Sequence, residues 1–255
     1  MFLQEYEKEL KEISIKENLF CLNDFEKVEF DKKNSLGFAS TISETRKKFN
    51  NKGDFDLLIH DLIYSVPSDI KFSLSNVFLY SKYANNFLKE IVRCSDKTQL
   101  STYFKKREDK RFFYYVNSTF EKLYNFWDRI GDLLELSFNI NLPEKSIYFP
   151  KVINELNKRQ LESNNFSWLK DFKNGDYKNY LNKYRIKIVH YRQQDTYFFF
   201  EWLNSMPKSN HLEIIAKLQE EKDRIPVLLK KQLNNTNQGF ENTIRLIKDF
   251  GVYEQ

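Results

Sequence analysis

Seven apolar residues recur at alternating steps of three and four: Phe113, Val116, Phe120, Leu123, Trp127, Ile130 and Leu134. That spacing keeps them on one side of a helix, and it predicts a bundle helix running from about Phe104 to Phe138. Only six glycines and five prolines occur in 255 residues. A strand-rich fold needs more turns than that supply allows. The chain therefore reads as all-α, an antiparallel bundle of long helices with short connections.

The remaining segments extend the same pattern. An amphipathic stretch spans Phe2 to Ile15, and Asn34-Ser35-Leu36-Gly37 is a turn signal after it. Apolar spacing resumes from Phe55 to Tyr64 and is expected to stop at Pro67, with a longer helix from about Ser75 to Arg93. Pro143 and Pro150 close the long helix. A shorter helix follows with Val152, Ile153 and Leu156 inward, then one over Phe166–Phe172 closed by Lys173-Asn174-Gly175-Asp176. A further helix from about Tyr177 is expected to carry Arg185 and His190. The aromatic run Tyr197 to Trp202 leads to a stop at Pro207, with core or dimer-interface packing favoured over base stacking. Two segments, His211–Leu233 and Phe240–Phe250, end the chain, with a kink at Pro226. Residues 1–100 read as a helical N-terminal extension and 101–255 as the main bundle.

Composition narrows the function classes. Forty-one basic residues against 36 acidic ones leave a net charge of +5, compatible with a polyanion partner but far from a dedicated nucleic-acid binder. Cys21 and Cys94 lie far apart in no metal-ligand spacing, so neither a disulfide framework nor a zinc site is indicated. No stretch approaches the roughly 20 apolar residues of a membrane span, and no leader-like segment opens the chain, which reads as cytoplasmic. The sequence holds no Gly-rich phosphate loop and no nucleophile elbow, and no cofactor or metal is implied.

The chemistry-bearing pair is Arg185 and His190 in Lys183-Tyr184-Arg185-Ile186-Lys187-Ile188-Val189-His190-Tyr191-Arg192. Five helical positions rotate by about 500°, about 140° past one turn, so a regular helix would not put both side chains on one face. Either the helix breaks between them or a second copy completes the site. The residue types suit metal-free RNA cleavage. Imidazole, with a pKa near ~6.5, serves as acid or base at neutral pH, and guanidinium clamps phosphoryl oxygens. The plain alternatives are a structural histidine and a solvated arginine. His60 and His211 read as surface or interface residues. On the long helix Asp128 and Asp132 share a face, with Asn117 on or near that polar stripe. They are candidates for orienting the motif, or simply part of a solvated face beside Arg129. Lys105-Lys106-Arg107 with Lys110 and Arg111 forms a basic cluster whose default is likewise a solvated face.

The motif segment, together with Asn117 to Asp132, resembles the HEPN superfamily over roughly residues 104–205. That resemblance implies a helical bundle, commonly a homodimer. It also implies a metal-independent endoribonuclease in which Arg185 and His190 of both subunits meet in a composite cleft. A toxin or phage-defence role and an antitoxin or other regulatory partner belong to the same expectation. Lys187, Tyr191 and Arg192 are candidate substrate contacts. The chain departs from the commoner pattern at Ile186, where the family often has a polar residue, and Lys187 is the one polar residue between the pair. Some HEPN toxins carry a tyrosine two positions after the histidine; here that position is Arg192. The alternatives are a non-catalytic HEPN-like module that binds RNA, nucleotide or a partner protein, and a purely structural bundle whose Arg185 pairs within its own subunit.

Overall fold

The computed structural model describes residues 2–24, 34–49, 52–89, 91–93, 99–101, 106–186 and 193–251. The fold is all-α, and among the described residues the one departure is a short antiparallel pair of strands. It divides into two compact units: Met1–Leu19, Phe72–Phe120 and Tyr184–Lys231 form the first, and Phe20–Lys71, Glu121–Lys183 and Gln232–Gln255 form the second. Its helices are α1 (Phe2–Lys16), α2 (Asn34–Lys47), α3 (Lys52–His60), α4 (Val66–Ser81), α5 (Arg107–Phe138), α6 (Phe149–Lys158), α7 (Asn164–Phe172), α8 (Lys183–Ile186), α9 (Gln194–Ser205) and α10 (His211–Phe250). The predicted stripe forms the buried face of α5, with all seven residues at most 2% exposed. Fully burying one such side chain contributes about 1.5–3 kcal/mol before ordering entropy is subtracted.

Asparagine or glutamine, rather than glycine, takes the left-handed position after three of the helices. Asn18 follows α1 at φ 52°, with the N–H of Leu19 donating to the Ser14 carbonyl (2.8 Å) and that of Asn18 to Ile15 (3.2 Å). This is the Schellman arrangement, which caps the last carbonyls of the helix. Asn139 after α5 and Gln160 after α6 take the same left-handed conformation.

In the first unit, Leu10 and Ile13 of α1 pack on Leu79 of α4. Polar contacts flank them: the Ser14 and Ser75 hydroxyls lie 2.8 Å apart, and Tyr6 Oη donates to Asn76 Oδ1 (2.6 Å). The expected helix to Arg93 ends instead at Ser81, and strands β1 (Ile91–Arg93) and β2 (Gln99–Ser101) pair antiparallel, Val92 opposite Leu100. Tertiary capture of the backbone accounts for the early stop. The N–H of Asn85 donates to Asp109 Oδ1 (2.8 Å) and that of Phe87 to Gln219 Oε1 (2.9 Å). Asp109 also accepts from the N–H of Lys106 (3.0 Å), as an N3 carboxylate capping α5 does. Its remaining partner is Lys222, whose Nζ lies 3.2 Å away, donates to the Asn85 carbonyl (2.5 Å) and sits 4.8 Å from the Phe87 ring centroid.

In the second unit, Trp127 is wedged among Phe149, Phe172 and Trp168, with centroid distances of 4.9, 4.0 and 6.5 Å. The expected turn at Asn34–Gly37 is instead the first turn of α2, and three expected breaks are absent. Pro67 does not stop the helix, because a π-helical turn, Asp61–Ser65, carries α3 into α4 and places the proline in the first turn, where its missing N–H costs little. Lys173-Asn174-Gly175-Asp176 does not close α7; a π-helical stretch, Lys173–Asn182, continues into α8. Tertiary contacts override the turn residues there, with Tyr177 and Leu181 buried and Asp176 accepting from Asn235 Nδ2 (3.0 Å). The last two predicted segments are one helix, α10, continuous through Pro226 and the polar run that follows Leu233.

Candidate functional site

Arg185 lies in α8, directly after the wide π-helical stretch. Inserted π turns recur beside functional residues because the extra residue re-aims the side chains that follow. Tyr184, the residue before Arg185, stacks on Phe120 of α5 with ring centroids 4.6 Å apart and planes 13° from parallel. The α5 stripe therefore anchors the backbone that presents the arginine. The Arg185 side chain and the whole of His190, Lys187, Tyr191 and Arg192 lie outside the described residues.

Downstream, α9 opens at Gln194 after an extended Gln193. Phe198 anchors this helix in the core, its ring 5.3 Å from Phe113 and 6.2 Å from Phe87. Of the aromatic run, Phe198 alone is fully buried, while Phe199, Phe200 and Leu203 are more than a third exposed. Desolvation pushes the Tyr197 hydroxyl up to about 12, so it stays protonated and donates to Glu221 (3.4 Å).

Two buried amide oxygens stand out in this unit. Asn117 Oδ1 on α5 and Gln194 Oε1 at the head of α9 have no hydrogen-bond partner among the described residues. Leaving such a group unsatisfied costs about 1–3 kcal/mol, so each is a place where an additional donor would be favoured. Asn117 lies one turn before Phe120, the ring on which Tyr184 stacks. Gln194 follows the motif segment by four residues. Asn117 is legible in the sequence as a candidate on or near the polar stripe of Asp128 and Asp132; Gln194 is not, although the Gln193-Gln194 pair breaking into an aromatic run is the cue for it.

Asp128 and Asp132 belong to the second unit. Asp132 is engaged by Arg129 (3.4 Å), which also reaches Asp61 (3.5 Å). Burial raises the Asp132 carboxyl above the ordinary range, with Arg129 opposing the shift. His60 is exposed and its ring lies 5.3 Å from that of Tyr64. His211 is not a surface residue. It is 3% exposed, its Nε2 accepts from the N–H of Ser101 (3.1 Å), and Nδ1 pairs with Ser205 Oγ (2.8 Å). Because Nε2 accepts, the ring is neutral with its proton on Nδ1. Trp202 Nε1 donates to the Ser101 carbonyl (3.1 Å), so the hairpin, α9 and α10 meet at one serine.

The HEPN_Cthe2314-like HEPN family model matches residues 69–250, well over half of the chain. This protein belongs to the HEPN superfamily. The matched region extends on both sides of the stretch that carries the motif resemblance, from within α4 to the end of α10. HEPN domains act as nucleases or nucleotide-binding modules and often bind RNA or dimerise. No curated protein and no solved structure matches the chain. Among the described residues, no helix is long and apolar enough to cross a membrane.

Proposed function

We propose that this HEPN protein is a metal-independent endoribonuclease whose active site is assembled from two copies of the chain. The carrying observation is the Arg185–His190 pair inside the matched region, in the chain between the end of the π-helical stretch and the start of α9. His190 of one copy removes the proton of a ribose 2′-OH, and the freed oxygen attacks the adjacent phosphorus. His190 of the partner subunit, as imidazolium, gives its proton to the departing 5′-oxygen. The products are a 2′,3′-cyclic phosphate and a 5′-hydroxyl. The two Arg185 guanidiniums neutralise charge gathering on the phosphoryl oxygens. Lys187, Tyr191 and Arg192 contact the substrate, and the unpartnered oxygen of Asn117 accepts from a guanidinium or a ribose hydroxyl.

Assembly of two copies supplies both an acid and a base to one linkage, which a single chain with one motif histidine lacks. The exposed Phe199 and Leu203, just past the motif, offer apolar surface for that association. A toxin or phage-defence role, with an antitoxin or regulatory protein restraining it, follows from the same reading. The test is degradation of single-stranded RNA in EDTA, with cyclic-phosphate ends on the products and no cutting of DNA. Loss of activity in Arg185→Ala and in His190→Ala supports the assignment, and undiminished activity in both removes it. One observation favours a second reading: Ile186 is 38% exposed beside the motif arginine, at a position often polar in the family. A non-catalytic HEPN module would bind RNA or nucleotide as a folded dimer and leave RNA intact.

A further inference from the structure

The first unit contains a cavity of about 580 Å³ walled by α1, the end of α4 with the turn after it, and the first turns of α5. That volume falls in the ordinary range of small-molecule sites, about 300–1,000 Å³. Glu5 and Glu9, one turn apart on α1, and Glu108 on α5 contribute three carboxylates to the lining. None of the three has an ion-pair or hydrogen-bond partner among the described residues. Arg111, also in the lining, is already engaged: it lies over the Tyr80 ring at 5.4 Å and donates to its hydroxyl (3.4 Å). The walls therefore set three carboxylates against one guanidinium, a net negative charge on a chain whose net charge is +5. Tyr6, Tyr80 and Tyr83 complete the chemistry. Tyr6 is fixed by its bond to Asn76, Tyr80 is backed by the parallel ring of Tyr115 at 5.8 Å, and Tyr83 is 57% exposed at the rim.

A negative concavity with tyrosine faces selects a cation. Hard metal ions need several oxygens converging at about 2.0–2.6 Å. Among the described residues no three His, Cys, Asp or Glu side chains are grouped to hold a metal ion. The carboxylates are instead spread along the wall. Spread charges with aromatic surface between them match a ligand whose positive groups are separated by an apolar chain. We infer that this cavity binds a small aliphatic polyamine, its ammonium groups paired with Glu5, Glu9 and Glu108 and its methylene chain laid against Tyr6 and Tyr83. The same negative charge repels phosphates, so the site is separate in kind from the proposed RNA site and does not rest on that reading.

The test is titration calorimetry of the full chain with spermidine, repeated for Glu5→Gln/Glu9→Gln and for Tyr83→Ala. Glu5 and Tyr83 are exposed, and circular dichroism verifies that the variants fold. One saturable site is expected, weakened about tenfold by the double substitution and about threefold by Tyr83→Ala. Magnesium chloride at matched ionic strength should not displace the ligand. The inference is overturned by the absence of a saturable site, by unchanged affinity in both variants, or by equal displacement with magnesium. It is overturned as well if a lysine-rich peptide binds while spermidine does not.

Discussion

Gly239→Ala tests the packing of the second unit, because the same substitution pulls stability in two directions. Alanine is favoured over glycine in a helix interior by about 1 kcal/mol. A Cβ at residue 239, however, would overlap the edge of the Trp127 ring, with Cη2 nearest, Cζ3 at 2.8 Å and Cζ2 at 3.3 Å. The indole has nowhere to retreat, since Phe172 stacks on it at 4.0 Å and Phe149 and Trp168 close the other sides. Overpacking a rigid core costs about 1–3 kcal/mol, occasionally more, and immovable ring atoms put this case at or above the upper end. The net expectation is a loss of about 2 kcal/mol, read as a lower urea midpoint at unchanged m-value. Gly175→Ala is the control: a Cβ there meets nothing within 4 Å, so propensity alone acts and the midpoint should rise. Trp127→Phe should partly rescue Gly239→Ala, because the smaller ring vacates the clash and the substitution removes an indole N–H with no acceptor among the described residues. A neutral or stabilising Gly239→Ala, or additive effects of the pair, would refute the packing argument.

Three further outcomes follow from the buried polar groups. Asp109→Ala strands the Lys222 charge against three phenylalanine rings and should cost about 3–5 kcal/mol in chemical denaturation, whereas Lys222→Met should cost less, since Asp109 keeps the N–H groups of Asn85 and Lys106. Burial lowers the His211 pKa, so the unfolded chain takes up a proton near pH ~6.5 that the native ring refuses. Stability should therefore fall as pH drops from about 7 towards 5, with a flatter urea-midpoint profile for His211→Gln. Burial, reinforced by Asp24, pushes the Cys21 thiol up to about 12, so in a Cys94→Ser background a disulfide reagent should react only after urea unfolding; fast native labelling would contradict the burial.

The parts of the fold legible in the sequence are those set by local periodicity. The α5 stripe and the inward face of α6 needed only neighbouring residues to be read. The misread parts are those decided at long range. Helix α4 ends where Asp109 and Gln219 capture the backbone of residues 85 and 87, and no local signal announces them. Pro226 and the asparagine-rich run that follows look like interruptions. Buried Ile225 and Leu229, the space Gly239 leaves for Trp127, and the Asn237 amide bound to the Phe20 carbonyl hold the helix through them. His211 reads from the sequence as a surface or interface residue because its acceptor role depends on Ser101, distant in the chain.

Both hydrogen-bond donors of Ser101 are committed, and its carbonyl is engaged as well. Its N–H goes to an imidazole, its hydroxyl donates to the Phe87 carbonyl (2.7 Å) and its carbonyl receives an indole proton. A single small residue on a three-residue strand thus sets where α9 stands, and α9 is the support from which the motif segment departs. On the function proposed above, heritable variation at Ser101 would mimic a lesion in the motif, although the two lie far apart in the gene. Grafting residues 185–190 onto another helical scaffold without this clasp would transplant the two side chains but not their bearing.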